Sequence, residues 1–378
     1  MSNKNPLAQI PDFGQSIWLD YIKRSFIRSG ELKKLIDEDE LRGITSNPAI
    51  FEEAIARSED YNELINDLAQ TDLSNEDIFL QIAVEDVQNA ADLFKEVYEK
   101  TQGVDGYVSL EVSPQLALDT EGSIAEARSS WKALDRKNVM IKIPGTKEGL
   151  PAIKQLISEG MNINVTLLFG LDRYREVAEA YIAGLEERAK KGEPLENITS
   201  VASFFLSRID TMVDAMLDKC IENEPSRATA AKQIKGQIAI ASAKVAYSIY
   251  EELFTSDRFL ELEAKGAKPQ RLLWASTSVK NKDYDELMYV EALIGPQTVD
   301  TLPKETLNAY REHGKPAARL HSDLEHARYT LYKLEDIVGI RLGEVTQHLE
   351  EEGIQKFIKP FESLMEVIAQ KRKQLASS

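Results

Sequence analysis

Lys142 lies in the run Val139-Met140-Ile141-Lys142-Ile143-Pro144, a lysine among apolar neighbours in a stretch with strand composition. Lysine is almost never fully buried unless it is paired. Desolvation disfavours the ammonium and frees an amine to attack a carbonyl, so one reading is a Schiff-base nucleophile. The resulting iminium is an electron sink that lets a carbon–carbon bond break without a metal. That chemistry needs two proton transfers, one to expel a hydroxyl as the imine forms and one from the hydroxyl on the leaving carbon. Asp20 and Glu111 are the carboxylates that can divide these tasks. The plainer reading is a buried ion pair of Lys142 with Glu111 or Asp20, and the residues alone leave both open. Arg208, with Lys280, Ser276 and Ser278, could clamp a phosphate, the arginine as a bidentate fork and the lysine as a point charge.

The elements that must position these groups are short β-branched or apolar runs alternating with longer helical patterns. Strands are expected near 16–21, 43–47, 107–113, 138–143, 162–169, 199–205, 271–277 and 292–299, each followed by helix. Such alternation means parallel pairing. Eight units, with no GxGxxG after the first strand, favour a closed (β/α)8 TIM barrel of the α/β class over a dinucleotide-binding sheet. The expectation is one barrel domain over 1–378, with additional helices at both ends and after the second and sixth strands. Ser74 and Asp77 spell a capping box. Helices are expected over 172–191, 229–253 and 355–375, the last ending in a solvated Lys371-Arg372-Lys373 run.

In a barrel, alternate strand residues point inward. Asp20, Thr45 with Asn47, Glu111, Lys142, Asn164 with Thr166, and Ser203 with Phe205 all share one parity in their strands. If that parity is inward, the polar members converge at the C-terminal mouth, where barrel enzymes keep their chemistry. Singly, each is more often a satisfied polar side chain near a strand end. Together they would be costly to bury without a function.

Composition narrows the alternatives. Of the 378 residues, 43% are hydrophobic and 29% charged, enough for a large core, and the net charge is −17. An acidic surface argues against nucleic acid or an anionic membrane as partner. No apolar run reaches the roughly 18 residues of a membrane span, and the opening Met-Ser-Asn-Lys-Asn-Pro leads into no signal-like segment. The single cysteine, Cys220, excludes an internal disulfide and reads as an inert helix residue in a cytoplasmic protein. The four histidines, His313, His321, His326 and His348, show no HExxH spacing, so no metal centre is expected.

Seven stretches, in order over roughly 20–280, carry a resemblance to the transaldolases, members of the Schiff-base aldolase superfamily. They are Ile17-Trp18-Leu19-Asp20, Gly43-Ile44-Thr45-Ser46-Asn47-Pro48, Val108-Ser109-Leu110-Glu111-Val112, Ile141-Lys142-Ile143-Pro144-Gly145-Thr146, Asn162 to Phe169, Ser203 to Asp210, and Leu273-Trp274-Ala275-Ser276-Thr277. The length and the Trp-Ala-Ser-Thr motif resemble the longer bacterial members. The resemblance implies a cofactor-free, metal-independent transferase of the pentose phosphate pathway. It would move a dihydroxyacetone unit from sedoheptulose 7-phosphate to glyceraldehyde 3-phosphate, giving erythrose 4-phosphate and fructose 6-phosphate. Lys142 would form the Schiff base, Asp20 would handle the C4 hydroxyl proton, and Glu111 with a water on Thr166 would serve imine formation and hydrolysis. Asn47, Asn164, Ser203 and Phe205 would bind the dihydroxyacetone part, Thr45 would support Asn47, and Arg208, Ser278 and Lys280 would hold the phosphate. Shorter members carry Arg where Lys280 stands and Pro where Phe204 stands. The alternatives are a fructose 6-phosphate aldolase, which releases free dihydroxyacetone, and a non-catalytic sugar-phosphate-binding barrel. A monomer or homodimer is expected.

Overall fold

Strands buried on both faces need apolar residues outside and a filled interior, and closing the sheet removes its edges. In the computed structural model, which describes residues 4–69 and 71–375, this is the arrangement found. Strands β1 (Gln15–Asp20), β2 (Gly43–Thr45), β3 (Tyr107–Glu111), β4 (Val139–Pro144), β5 (Ile163–Leu168), β6 (Ser200–Phe205), β7 (Arg271–Ala275) and β8 (Thr298–Leu302) form one closed barrel in sequence order. All pairings are parallel, and β1 closes on β8 from Gln15↔Thr298 to Leu19↔Leu302. Residues of one parity, such as Ile17, Leu19, Ile141, Ile143 and Val165, are fully buried under the surrounding helices. The first three residues of the opening stretch lie outside the described residues.

The opposite parity fills the barrel. At its floor the rings of Trp18 and Tyr107 meet with centroids 6.5 Å apart. Beneath them a buried polar lock spans distant parts of the chain. Arg271 on β7 bonds Asp105 at 2.9 Å, Ser16 on β1 at 2.9 Å and the Val104 carbonyl at 2.7 Å, while Ser16 donates to Asp105 at 2.8 Å. The capping box of Ser74 and Asp77 opens the Asn75–Lys100 helix as expected.

Four expectations need correction. The eighth strand is Thr298–Leu302, not 292–299: Met288–Ala292 is a short helix, Leu293 and Ile294 pack as core, and the chain turns through Gln297 at φ 56°. The alanine-rich segment is two helices, Pro225–Ile234 and Ile238–Phe254. Gly236, at φ 72°, breaks it, and carboxylates of the Ser207–Asn223 helix hold the break, Asp214 accepting from Gly236 N–H and Asp210 from Ala239 N–H. The C-terminal helix runs Leu342–Leu375, 34 residues with Pro360 inside, and so begins 13 residues before the expected start. Its basic end is not simply solvated. Lys371 donates to the Ser58 carbonyl and Asn62, and Arg372 to the Thr71 and Leu73 carbonyls, so both pin the helix to the segments that precede the Asn75–Lys100 helix.

Removing one partner of a buried pair strands the other charge. Asp105→Ala is expected to lower stability by about 3–5 kcal/mol, read as a denaturant midpoint shift at unchanged slope. A shift near zero would show that the lock does not hold the barrel floor.

Candidate active site

Parallel register puts Glu111 of β3 directly beside Lys142 of β4, and Lys142 beside Asn164 of β5. The Lys142 and Glu111 side chains are 5% and 4% exposed, and Lys142 Nζ donates to Glu111 Oε2 at 3.2 Å. It also donates to the Ser46 carbonyl at 3.1 Å, just past β2, while the Ser46 hydroxyl bonds the Ser109 carbonyl at 2.8 Å. Asn164 donates to Ser109 Oγ at 3.0 Å and accepts from Ser203 Oγ at 2.7 Å. On the other side, Asp20 accepts from Thr45 Oγ1 at 2.7 Å, and Thr45 is also 2.7 Å from Thr301 Oγ1.

Burial dominates the electrostatics of both carboxyls. It raises Glu111 to about 7, aided by the nearby Asp20 and opposed by the charge and hydrogen bond of Lys142. Asp20 is also raised by burial, with Lys142 and the Thr45 hydroxyl favouring its anion. Two oxygens in this layer, Glu111 Oε1 and Thr166 Oγ1, are buried without a protein partner.

Above this layer a cavity of about 210 Å³ opens at the C-terminal mouth. Asp20, Thr45, Asn47, Lys142, Ser203, Phe205, Arg208, Ser278 and Lys280 all line it, so the inward parity holds and both ends of the expected site meet there. Glu111 and Asn164 are the register neighbours of Lys142, and Thr166 lies two residues on, opposite Pro144. The Arg208 guanidinium lies 5.5 Å over the Phe205 ring, and its Nη1 is buried with no partner. Burial lowers the Arg208 pKa. Burial also lowers that of Lys280, with the Arg208 charge adding to the effect. Lys280 donates to Ser278 Oγ at 2.6 Å, and among the described residues neither cation makes a salt bridge. Two neighbouring cations left without a carboxylate form an anion site. Ser276, at φ 55°, turns the chain after β7 and meets Ser207 Oγ at 2.8 Å, which ties the Ser278–Lys280 segment to the start of the Arg208 helix.

Three features depart from the sequence reading. Thr45 supports Asp20, not Asn47, because its hydroxyl reaches across to β1. Asn47 Oδ1 instead caps the Pro48–Ala56 helix by accepting from Ile50 N–H at 3.1 Å, which leaves only its amide NH2 for a ligand. Thr301 and Phe357 line the cavity unforeseen. Thr301 falls in the misplaced eighth strand, and Phe357 comes from the C-terminal helix, where nothing in the local pattern points to a barrel mouth. Among the described residues no three His, Cys, Asp or Glu side chains are grouped to hold a metal, and no helix is long and apolar enough to cross a membrane.

Comparison with known proteins agrees with this geometry. The family model described as transaldolase/fructose-6-phosphate aldolase matches residues 17–368. A "Transaldolase" of Trichodesmium erythraeum is 48% identical over 374 residues, covering 98% of both chains. A "Transaldolase 2" of Nostoc punctiforme is 46% identical over 377 residues, 98% of this chain and 99% of its own. A "Transaldolase" of Thermobifida fusca is 46% identical over 369 residues, 97% of this chain and 98% of its own.

The Glu111 carboxyl should titrate near 7, well above its ordinary value of 4.5, and its infrared C=O band, identified by its absence in Glu111→Gln, should persist to about that pH. Lys142→Met removes the charge and hydrogen bond that favour the carboxylate, so the transition should move to higher pH. Ionisation at the ordinary value in the parent protein would contradict the buried placement of Glu111.

Proposed function

The chain belongs to the transaldolase/fructose-6-phosphate aldolase family, and on that premise we propose that it transfers a dihydroxyacetone unit between sugar phosphates through a Schiff base on Lys142. Sedoheptulose 7-phosphate and glyceraldehyde 3-phosphate exchange with erythrose 4-phosphate and fructose 6-phosphate. The observation that carries the reading is a buried lysine bonded to a carboxyl, with a second carboxyl and an unpartnered arginine on the same cavity.

Lys142 Nζ attacks the ketose C2 carbonyl, and Glu111, holding a proton up to about pH 7, protonates the departing carbinolamine hydroxyl. The orphaned Glu111 Oε1 and Thr166 Oγ1 are the groups assigned to the water released at that step and consumed on hydrolysis. Asp20 takes the C4 hydroxyl proton, the C3–C4 bond breaks, and its electron pair flows into the iminium to leave an enamine. The aldose departs, another enters, and the steps reverse. The Asn47 amide NH2, Asn164 and Ser203 bind the hydroxyls of the three-carbon unit, and Arg208 with Ser278 and Lys280 holds the phosphate. A chain of acidic net charge thereby offers anionic substrates a local cationic pair. We assign one barrel unit per chain, working in the cytosol.

The family description names two activities, and the relatives cited above carry the transferase name. A product assay separates them, since an aldolase accumulates free dihydroxyacetone and a transferase requires an acceptor.

Borohydride reduction in the presence of fructose 6-phosphate should fix a three-carbon adduct on Lys142, found by mass spectrometry of the digest, and none in Lys142→Ala. Asp20→Asn should still trap imine, now carrying the intact six-carbon phosphate, with turnover down roughly 10²–10⁴-fold. An adduct on a different lysine, or full turnover without Lys142, would sink the mechanism.

A further inference from the structure

The C-terminal helix contributes a ring to a site otherwise built from strand ends and the loops that follow them. Phe357, 7% exposed, lines the catalytic cavity with its centroid 5.8 Å from Lys142 Nζ and 5.8 Å from the Arg208 guanidinium carbon. It is thus equally near the nucleophile and the phosphate cation. The helix lies close over the mouth at Gly353, where a Cβ would come within 3.0 Å of Leu167 and 3.5 Å of Phe169. Phe169 in turn packs edge-on against Phe205, with centroids 5.1 Å apart.

Both ends of the helix are fastened. Glu350 pairs with Arg173 at 3.4 Å, and Lys371 and Arg372 hold the far end through backbone carbonyls. Between them Phe361, one turn past Phe357, packs edge-on against Phe79 at 6.0 Å. The helix that carries Phe357 is therefore fastened on both sides of it.

A transferase that works through a bound fragment has an interval with no sugar phosphate filling its site. During that interval the enamine can take a proton on carbon to become an iminium. Water can then bond to C2, its two protons pass to Nζ, and the C–N bond breaks with its electron pair staying on Nζ as the C=O bond forms. Free dihydroxyacetone leaves and the amine is regenerated. The route needs water at the imine carbon, and excluding it is a recognised way to prevent such a side reaction.

We propose that Phe357 is the residue that decides between these fates: its ring covers the imine carbon and keeps water from it, so that the fragment waits for an aldose. This rests on the Schiff-base reading above. Phe357 takes no proton and forms no bond, and acts by position.

The test uses the full-length protein and Phe357→Ala and Phe357→Leu, given fructose 6-phosphate with and without erythrose 4-phosphate. Two rates are measured, release of dihydroxyacetone and formation of sedoheptulose 7-phosphate, together with the borohydride adduct on Lys142. Phe357→Ala should raise the ratio of release to transfer about tenfold or more, with adduct still formed and Phe357→Leu intermediate. A packing role alone would slow both rates together, and an unchanged ratio in an adduct-forming variant overturns the proposal. If Phe357→Ala fails to fold, the ratio in Phe357→Leu decides. A parent protein that forms no adduct on Lys142 refutes the Schiff-base reading itself, a distinct result.

Discussion

An amine and a carboxyl buried side by side set the terms for the rest of the barrel. Lys142 and Glu111 are register partners on adjacent parallel strands, so their side chains leave the sheet together. A slip of one residue in either strand would turn its member into the helix layer. Burying such groups is costly unless their remaining hydrogen-bonding positions are filled. Neighbouring strands and loops fill them. The Ser46 carbonyl takes one lysine proton, the Ser46 hydroxyl is fixed on β3, and Ser109, Asn164 and Ser203 carry the network on to β6. The polar layer is thus a continuous set of bonds, which is why it stays ordered in a core.

The barrel interior is graded along its axis. Its floor is closed by Trp18 and Tyr107 over the Arg271–Asp105 pair, which Ser16 bonds from β1. In the middle layer some oxygens are unanswered, and at the mouth a guanidinium nitrogen is. Three of the orphaned atoms, Glu111 Oε1, Thr166 Oγ1 and Arg208 Nη1, belong to residues of the expected site.

Much of this is legible in the sequence because parallel strands impose a strict period of two. Asp20, Glu111, Lys142, Asn164 and Ser203 each sit one residue from apolar neighbours of the other parity, and the closed sheet turns that shared parity into convergence. The signal fails in β8, Thr298-Val299-Asp300-Thr301-Leu302, where polar residues occupy both parities and Asp300 is fully buried. With no clean alternation, the apolar run just before it looks like the strand. Phe357 is invisible for another reason. Amphipathic spacing shows that a helix has a buried face but not which part of the fold covers it. The glutamates at 350–352 and Gly353 also mask a helix that starts earlier, though Gly353 is where that helix approaches β5. Alanine-rich periodicity likewise runs straight through Gly236, whose break depends on carboxylates more than 20 residues away.

On the proposed reading, the two carboxyls divide opposite proton transfers. Glu111 lies deep, and its raised pKa keeps a proton available near neutrality, suited to protonating a departing hydroxyl. Asp20 ends β1 on the cavity; burial raises its pKa too, while Lys142 and the Thr45 hydroxyl favour the anion that would accept a proton. Thr45 is itself positioned by Thr301 of β8, so the strand that closes the barrel also supports the base. Lys142 touches Glu111 and lies within electrostatic reach of Asp20, so a change at its nitrogen, such as the proposed imine, acts on both carboxyls at once.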